Sequence, residues 1–350
     1  MLDSQSKQDK LVVLDFETSN LAVVRGKGVV HCFSLVNDDI AEVYEWCDES
    51  KQMLLNLAAN GYTFIAHNAK FDKAVMQQFA GISPPFICTQ VLAHTINPTL
   101  MSYSLDSLTG AKLDYAYMME TSGRWDGVSK KELYELPFNE IMAEYCLNDA
   151  QATWVLYKDL MTHLDADKRL HDSFFKVLNP FIDVMISLNG GMKIDSRALM
   201  ALLGELSADV DKEYAKFLVD YPKVVKLKWN KEGKKWEATD KMGVPNLSSP
   251  NDVTSLLFSK GWVPDDFKWD TGRPVTTQNT LRRLAVTETA SPQLRELANR
   301  LQQLRSLIGI RTQCISLAEI VAETGSEIIY ADWRQGETVT NRMSCKAPNL

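Results

Sequence analysis

The chain has 350 residues, a formal net charge of −7, 45% hydrophobic residues and 24% charged residues, an ordinary globular composition with room for two domains. No run of about 18 apolar residues occurs, and the opening Met1-Leu2-Asp3-Ser4-Gln5-Ser6-Lys7 lacks the apolar core of a signal peptide, so a soluble, cytoplasmic protein with no membrane partner is expected. Six cysteines without a C-x-x-C pair and only five histidines argue against a zinc site and a disulfide framework. The charge is uneven. Residues 1–200 hold 17 basic and 26 acidic side chains and residues 201–350 hold 21 and 19, which suits a metal-binding first half and a phosphate-contacting second half.

In chain order, the apolar run Leu11-Val12-Val13-Leu14 predicts a buried strand over 11–16. Val29–Val36 and 41–46 predict two more strands, with Asn37-Asp38-Asp39 as the hairpin between them. Helical periodicity follows at 51–59, a short strand at 62–66, a helix at about 70–80, and helices near 104–112, 130–136 and 138–162. Four acids fall where an inward-facing carboxylate is otherwise unwelcome. Asp15 and Glu17 close the first strand, Asp72 follows Asn68-Ala69-Lys70-Phe71, and Asp149 lies inside a helix four residues after Tyr145. Asn68 and Asp72 would share a helical face, as Tyr145 and Asp149 would.

Carboxylate oxygens are hard ligands that, together with substrate phosphates, suit Mg²⁺. Two such ions about 4 Å apart can activate a water and stabilise the leaving oxygen of a phosphodiester. The acids therefore read as a two-metal nuclease site. A hard-metal site needs no imidazole, so His67 is expected to be a packed or solvated residue rather than a ligand, and Trp154 and Tyr157 are expected to be helix packing.

Beyond residue 179, Pro180 precedes an apolar helical run ending at Gly190-Gly191, and Asp195 is placed to cap a helix through about Leu218. Residues 223–238 alternate as a β-hairpin with Lys226, Lys228, Lys231, Lys234 and Lys235 on it, a solvated face or a contact for duplex or a processivity partner. Helices are expected again at about 250–260, 277–286 and 291–322.

The segments Asp15-x-Glu17, Asn68-Ala69-Lys70-Phe71-Asp72 and Tyr145-Cys146-Leu147-Asn148-Asp149 resemble the three exonuclease motifs of the DEDDy class of 3′-to-5′ exonucleases, and the order of elements resembles the ribonuclease H-like fold. The resemblance implies an α/β fold, with a mixed five-stranded sheet and helices in a domain over 1–175. It also implies two divalent ions, Mg²⁺ or Mn²⁺, on Asp15, Glu17, Asp72 and Asp149. Asp15, Glu17 and Asp149 would hold the first ion; Asp15 would reach the second as well, and Asp72 would act on that ion directly or through water. Tyr145 would orient the attacking water, since a neutral phenol directs hydrogen bonds but is a poor base at pH 7. Thr18 and Leu21 match positions that touch the terminal nucleotide, with a strand-end hydrogen bond and a core contact as their plain alternatives. Asn68 would orient substrate or cap its helix. Leu105-Asp106-Ser107-Leu108 resembles a structural helix of such enzymes.

The remainder resembles family A DNA polymerases. Gly191-Met192-Lys193-Ile194-Asp195, the Asn246–Phe258 stretch, Thr271-Gly272-Arg273-Pro274-Val275-Thr276-Thr277 and Thr340-Asn341-Arg342-Met343-Ser344-Cys345-Lys346-Ala347-Pro348-Asn349-Leu350 match their motifs collinearly. Asn341 stands where glycine is usual, a tolerable change because asparagine accepts left-handed backbone angles. Residues 176–350 would then be a mainly α-helical thumb region with a β-hairpin and the beginning of the palm. Arg295, Arg300, Arg305 and Arg311 are candidate phosphate contacts on a thumb helix, and Arg342 lies at the start of the palm.

The resemblance further implies a bacteriophage-type replicative enzyme in the host cytoplasm. Its partners would be a single-stranded DNA 3′ end and a primer-template duplex, with a separate palm-and-fingers chain and a processivity factor as candidates. Because the family's polymerase carboxylates lie beyond Leu350, proofreading without synthesis is expected of this chain. The alternatives are a standalone exonuclease of the ribonuclease D type on DNA or RNA, one half of a split polymerase, and a non-enzymatic DNA-binding subunit. The intact acids argue against the last.

Overall fold

Strand β1 (Leu11–Thr18) is buried at Val12, Val13, Leu14 and Phe16, so successive side chains on both faces are covered, as the unbroken apolar run requires. The computed structural model describes residues 10–110, 135–230, 235–268, 272–346 and 348. β1 pairs antiparallel with β2 (Val30–Val36), which pairs antiparallel with β3 (Ala41–Glu45). On its other side β1 runs parallel to β4 (Thr63–Ala66), and β4 runs parallel to β5 (Phe86–Cys88). The mixed five-stranded order is β3-β2-β1-β4-β5.

The helices of this part are α1 (Asp48–Ala59), α2 (Lys70–Val75), α3 (Thr89–Ile96), α4 (Leu105–Thr109) and α5 (Glu140–Asp165). α2 continues as a π-helical turn, Met76–Ala80, and ends at Gly81 with φ 74°. α5 packs across β1 and β2 and begins at Asn139, whose side chain accepts from the Met142 N–H. Trp154 and Tyr157 stack at 5.7 Å on this helix, and the Trp154 indole N–H donates to Asp38 in the β2–β3 turn. After α5 come α6 (Lys168–Ser173), running into a π-helical turn, and α7 (Phe181–Ser187).

The chain divides into two compact units, Met1–Met192 with Tyr330–Leu350, and Lys193–Ile329. The first unit is thus discontinuous, whereas the boundary expected from sequence lay at 175/176. Its late segment carries the antiparallel pair β10 (Asp332–Arg334) and β11 (Ser344–Lys346). Within this unit the Lys70 ammonium donates to the Trp333 carbonyl and pairs with Asp332, and the Gln335 amide donates to the Leu178 carbonyl.

In the second unit α8 (Ser196–Asp220) starts at Asp195, whose carboxylate accepts from the Ala198 N–H, as the sequence predicted. β7 (Val224–Asn230) and β8 (Lys235–Gly243) form the predicted hairpin, longer than 223–238. α9 (Pro250–Phe258), α10 (Gln278–Val286) and α11 (Pro292–Thr324) follow. α9 and α11 each open on a Ser-Pro pair, with serine as cap and proline at the first helical position. Arg300 pairs with Asp220 and Arg311 with Asp211, so α8 and α11 run antiparallel with their charges matched along the seam.

Two small strands, β6 (Met192–Lys193) and β9 (Ile328–Ile329), together with β5, α3, β10 and β11, were not predicted. The predicted helix at 130–136 falls almost wholly outside the described residues, as do residues 111–112 of the predicted 104–112 helix. Among the described residues no helix is long and apolar enough to cross a membrane.

His67, at the end of β4, bonds Thr89 Oγ1 at 2.9 Å and the Tyr103 carbonyl at 3.0 Å. It fastens the end of β4 to α3 and the following loop. Burial holds its imidazole down to about 4. The unfolded chain therefore binds an extra proton between about pH 6.5 and 4, and the stability this residue contributes is full above that window and lost as pH falls through it. Denaturation of wild type and His67→Gln across pH 7 to 4 should show the wild type losing up to about 3 kcal/mol more than the variant. Parallel pH profiles would refute this.

Candidate active site

Asp15 and Glu17 leave β1 on one face, and their register partners on β2 are Ser34 and Cys32. Side chains alternate along a strand, so all four share the face over which α5 lies. Two hydrogen bonds fix that helix at the site. The Ser34 hydroxyl donates to the Cys146 carbonyl at 2.9 Å, and the Cys146 thiol donates to the Asp15 carbonyl at 3.4 Å. Cys146 follows Tyr145 and precedes Asp149 by three residues, so docking of this one residue positions the helix turn that carries both. Cys32, Cys146 and Met142 are fully buried beneath them.

Asp72 arrives from α2. The β1–β4 ladder stops at Val13 and Ile65, so β4 does not follow β1 to its end. The Phe16 N–H points into the gap and donates to Asp72 Oδ1 at 3.1 Å. The carboxylate thereby replaces a strand partner, and it is 2% exposed. The adjacent Lys73, also buried, pairs with Asp183 of α7 and anchors α2 from its other side.

The carboxylates act on one another. Burial first, and then the negative charges of Glu17, Asp72 and Asp149, hold the Asp15 carboxyl well above the usual carboxylate range. Burial pushes Asp72 up to about 7 against the opposing pull of the Phe16 hydrogen bond. The four acids predicted from sequence are thus neighbours around one sheet edge. Among the described residues no three acidic, histidine or cysteine side chains close into a ready cation cage. The donor set is nonetheless chemically that of a hard divalent ion: several carboxylates, partly desolvated and mutually repelling, whose strain a cation would relieve.

The other predicted residues are placed as follows. Thr18 is buried and its hydroxyl donates to the Asn20 carbonyl at 3.3 Å, the strand-end bond foreseen as its plain alternative. Leu21 is 78% exposed, so it is no core contact. Asn68 does not share a helical face with Asp72. It sits before α2 with φ 56°, and α2 begins at Ala69 with no side-chain cap, so the capping role is absent as well. Its own carbonyl accepts the Phe71 N–H, a tight turn that asparagine tolerates at positive φ.

In the second unit, Arg305 is half-buried and donates to the Thr276 carbonyl at 2.6 Å; burial lowers its guanidinium below its ordinary value. Lys226 pairs with the buried Asp252, and Lys231 and Lys234 lie outside the described residues. Arg342 is exposed, and Asn341 beside it adopts the left-handed angle expected, φ 55°. Sequence reasoning passed over Ser34, Cys146 and Lys73. The signal that could have found the first two is their place opposite Asp15 and beside Tyr145.

Residues 2–165 match the family model of the 3′-5′ exonuclease of family A DNA polymerases. DNA polymerase I of Pseudomonas aeruginosa is 27% identical over 299 residues, covering 82% of this chain and 29% of that protein. The chain therefore spans less than a third of the length of this relative. Among solved structures, the POL domain of Pol1 from M. smegmatis in complex with DNA primer-template and dNTP aligns with a TM-score of 0.63 at 17% identity. That alignment covers 97% of this chain and 51% of that one, and it supports the α/β fold with a mainly helical second part. The family match falls on the stretch that carries Asp15, Glu17, Asp72, Tyr145 and Asp149, and it supports a 3′-5′ exonuclease activity in this part of the chain.

Proposed function

We propose that the chain hydrolyses the 3′-terminal phosphodiester of DNA, releasing nucleoside 5′-monophosphates, as the proofreading part of a replicative family A DNA polymerase. The observation that carries this is the mutual electrostatic coupling of Asp15, Glu17, Asp72 and Asp149 at the end of β1. These four carboxylates would hold Mg²⁺ or Mn²⁺, which when bound would supply acidity to the water and stabilise the leaving oxygen. Tyr145, one helical turn before Asp149 on α5, orients the attacking water through its hydroxyl. Leu21, exposed at the start of the 3-10 turn Leu21–Arg25 that follows β1, and Thr18 meet the terminal nucleotide, and Asn68 at its fixed turn presents a polar side chain beside them. Residues 193–329 are read as the thumb region, with α8 and α11 braced by their ion pairs. Arg342 contacts the primer-template duplex. Arg305 is the candidate phosphate contact of this unit, with one of its N–H groups committed to the Thr276 carbonyl.

Asp15→Ala and Asp149→Ala should abolish shortening of a single-stranded oligonucleotide in Mg²⁺ while leaving the fold intact, because each removes a cation ligand from a repelling group. Tyr145→Phe should lose about 10²-fold in kcat, the scale of a positioned proton-handling group. Full-rate digestion by either alanine variant would refute the site.

Single-stranded or mismatched 3′ ends should be cut faster than paired ends, since stacking of bases on apolar side chains offsets the cost of unpairing. Equal rates on blunt duplex and single strand would count against proofreading, and a preference for RNA would favour an enzyme of the ribonuclease D kind.

Asp72, protonated below about pH 7, must release its proton to bind a cation. Calorimetric Mg²⁺ affinity should therefore rise from pH 6 to pH 8, with protons released on binding. A pH-independent affinity would contradict the raised carboxyl.

A further inference from the structure

The helix that carries Asp72 is poorly secured by its own sequence. α2 has six residues, Lys70–Val75; its cap position is Ala69, which supplies no side-chain hydrogen bond, and Asn68 before it holds φ 56°. The N–H groups at a helix start lack intrahelical partners, and a short helix gains little from its own ladder. Lys70, at the first helical position, adds a cation at the end where the helix dipole disfavours one. Whatever fixes this helix therefore lies outside it.

Three side chains of its first turn reach three different elements. Asp72 accepts the Phe16 N–H of β1 at 3.1 Å, and Lys73 pairs with Asp183 of α7. The Lys70 ammonium donates to the Trp333 carbonyl of β10 at 2.5 Å and pairs with Asp332 at 3.3 Å. We infer that Lys70 is a positioning residue of the candidate site: by fastening the start of α2 to β10, it sets where the Asp72 carboxylate stands relative to Asp15 and Glu17. The inference rests on the reading of these acids as one exonuclease site. Residues two apart on a helix do not face each other, so Lys70 acts through the backbone of α2 and not as a counter-charge to Asp72.

Such a tether works only if its far end is itself held, and a ribbon of two strands is marginal alone. β10 and the segment after it are pinned at further points. The Gln335 amide donates to the Leu178 carbonyl at 2.6 Å, and His94 Nε2 of α3 donates to the Thr338 carbonyl at 3.0 Å, since a carbonyl can only accept. His94 is 1% exposed. Its ring lies so close to Gly336, at φ 73°, that a Cβ there would stand 3.4 Å from the His94 Cβ and Cγ. Arg334 pairs with both Asp332 and Glu337, which fixes the carboxylate that meets Lys70. α2 is thus braced against a ribbon whose footing is α3 and the π-helical turn ending at Leu178.

The test uses the full chain as wild type, Lys70→Met, Lys70→Arg and Asp332→Asn. Lys70→Met keeps the aliphatic stem and removes the donor. On a single-stranded oligonucleotide in Mg²⁺ its kcat should fall about tenfold with KM unchanged, a smaller loss than the roughly 10²-fold that a misplacement of about 1 Å can cause. Lys70→Arg still donates to the Trp333 carbonyl and should recover most of the rate. Asp332→Asn leaves that carbonyl in place and should lose less than Lys70→Met. A wild-type kcat in Lys70→Met, or a raised KM with kcat unchanged, which would make Lys70 a substrate contact, would overturn the inference.

Amide hydrogen exchange without added Mg²⁺ gives a readout independent of cleavage, because the Phe16 N–H reports directly on its bond to Asp72. In Lys70→Met the Phe16 amide should exchange severalfold faster while the amides of β2 keep their wild-type rates, and Lys70→Arg should restore it. Unchanged exchange at Phe16 would overturn the tether even if hydrolysis slows. Uniformly faster exchange across β1 and β2 would mean a loss of overall stability and would overturn it as well. A wild type that cleaves no oligonucleotide would count against the exonuclease reading, and the exchange comparison would still decide the tether.

Discussion

Bringing four carboxylates to one edge of a sheet is the electrostatic cost around which the first unit is arranged. Each would be more comfortable in water, and burial together with the neighbouring charges raises Asp15 far from its ordinary range. The structure does not remove this repulsion; it holds it in place. β4 parts from β1 after Val13, the orphaned Phe16 N–H binds Asp72, and Lys73 ties α2 to α7. Ser34 and Cys146 do the same for α5 with two hydrogen bonds between helix and sheet. Such a site is stabilised by its scaffold, and its raised carboxyls retain protons where they would otherwise be ionised.

Much of this was legible in the sequence because its signals are local. The run Leu11–Leu14, the acids at its end, and the Tyr145–Asp149 spacing on one helix all survive in the structure. What failed was also local in form but tertiary in cause. Asn68 and Asp72 looked like a helical pair, yet the backbone turns at positive φ before α2 begins, a change that four-residue spacing cannot reveal. β5 has only three residues, Phe86-Ile87-Cys88, too short to show an alternation, and is a strand because β4 offers it an edge. His67 was expected to be either packed or solvated; it is packed, and its two partners lie 22 and 36 residues away.

In the second unit the basic residues that suggested phosphate contact are largely committed to the protein itself. Arg300 is bonded to Asp220 and also lies over Phe217 and Tyr221, and Arg311 meets Asp211. Counting charges along the sequence therefore overstates what a surface offers, because the count cannot see which acids fold back onto which bases. The helices of this unit were predicted well for a different reason. Asp195, Ser249, Thr277 and Ser291 each cap the residue run that follows, and caps are written in adjacent positions.

The discontinuity of the first unit has a consequence for the order in which the molecule can be assembled. The strand bearing Asp15 and the helix bearing Asp149 emerge early in synthesis, whereas Tyr330 and Asp332 are joined to their unit only after residues 193–329 have been made. A long loop must close before β10 and β11 join the first unit, and loop closure carries an entropic cost that grows with loop length. Within the second unit the Ile194 N–H donates to the Glu327 carbonyl at 2.7 Å, so folding of that unit brings its own two ends together. The second unit thereby acts as a clasp. A nascent chain holds the acids long before it holds β10 and β11, and the first unit is whole only when the intervening unit has brought its two ends together.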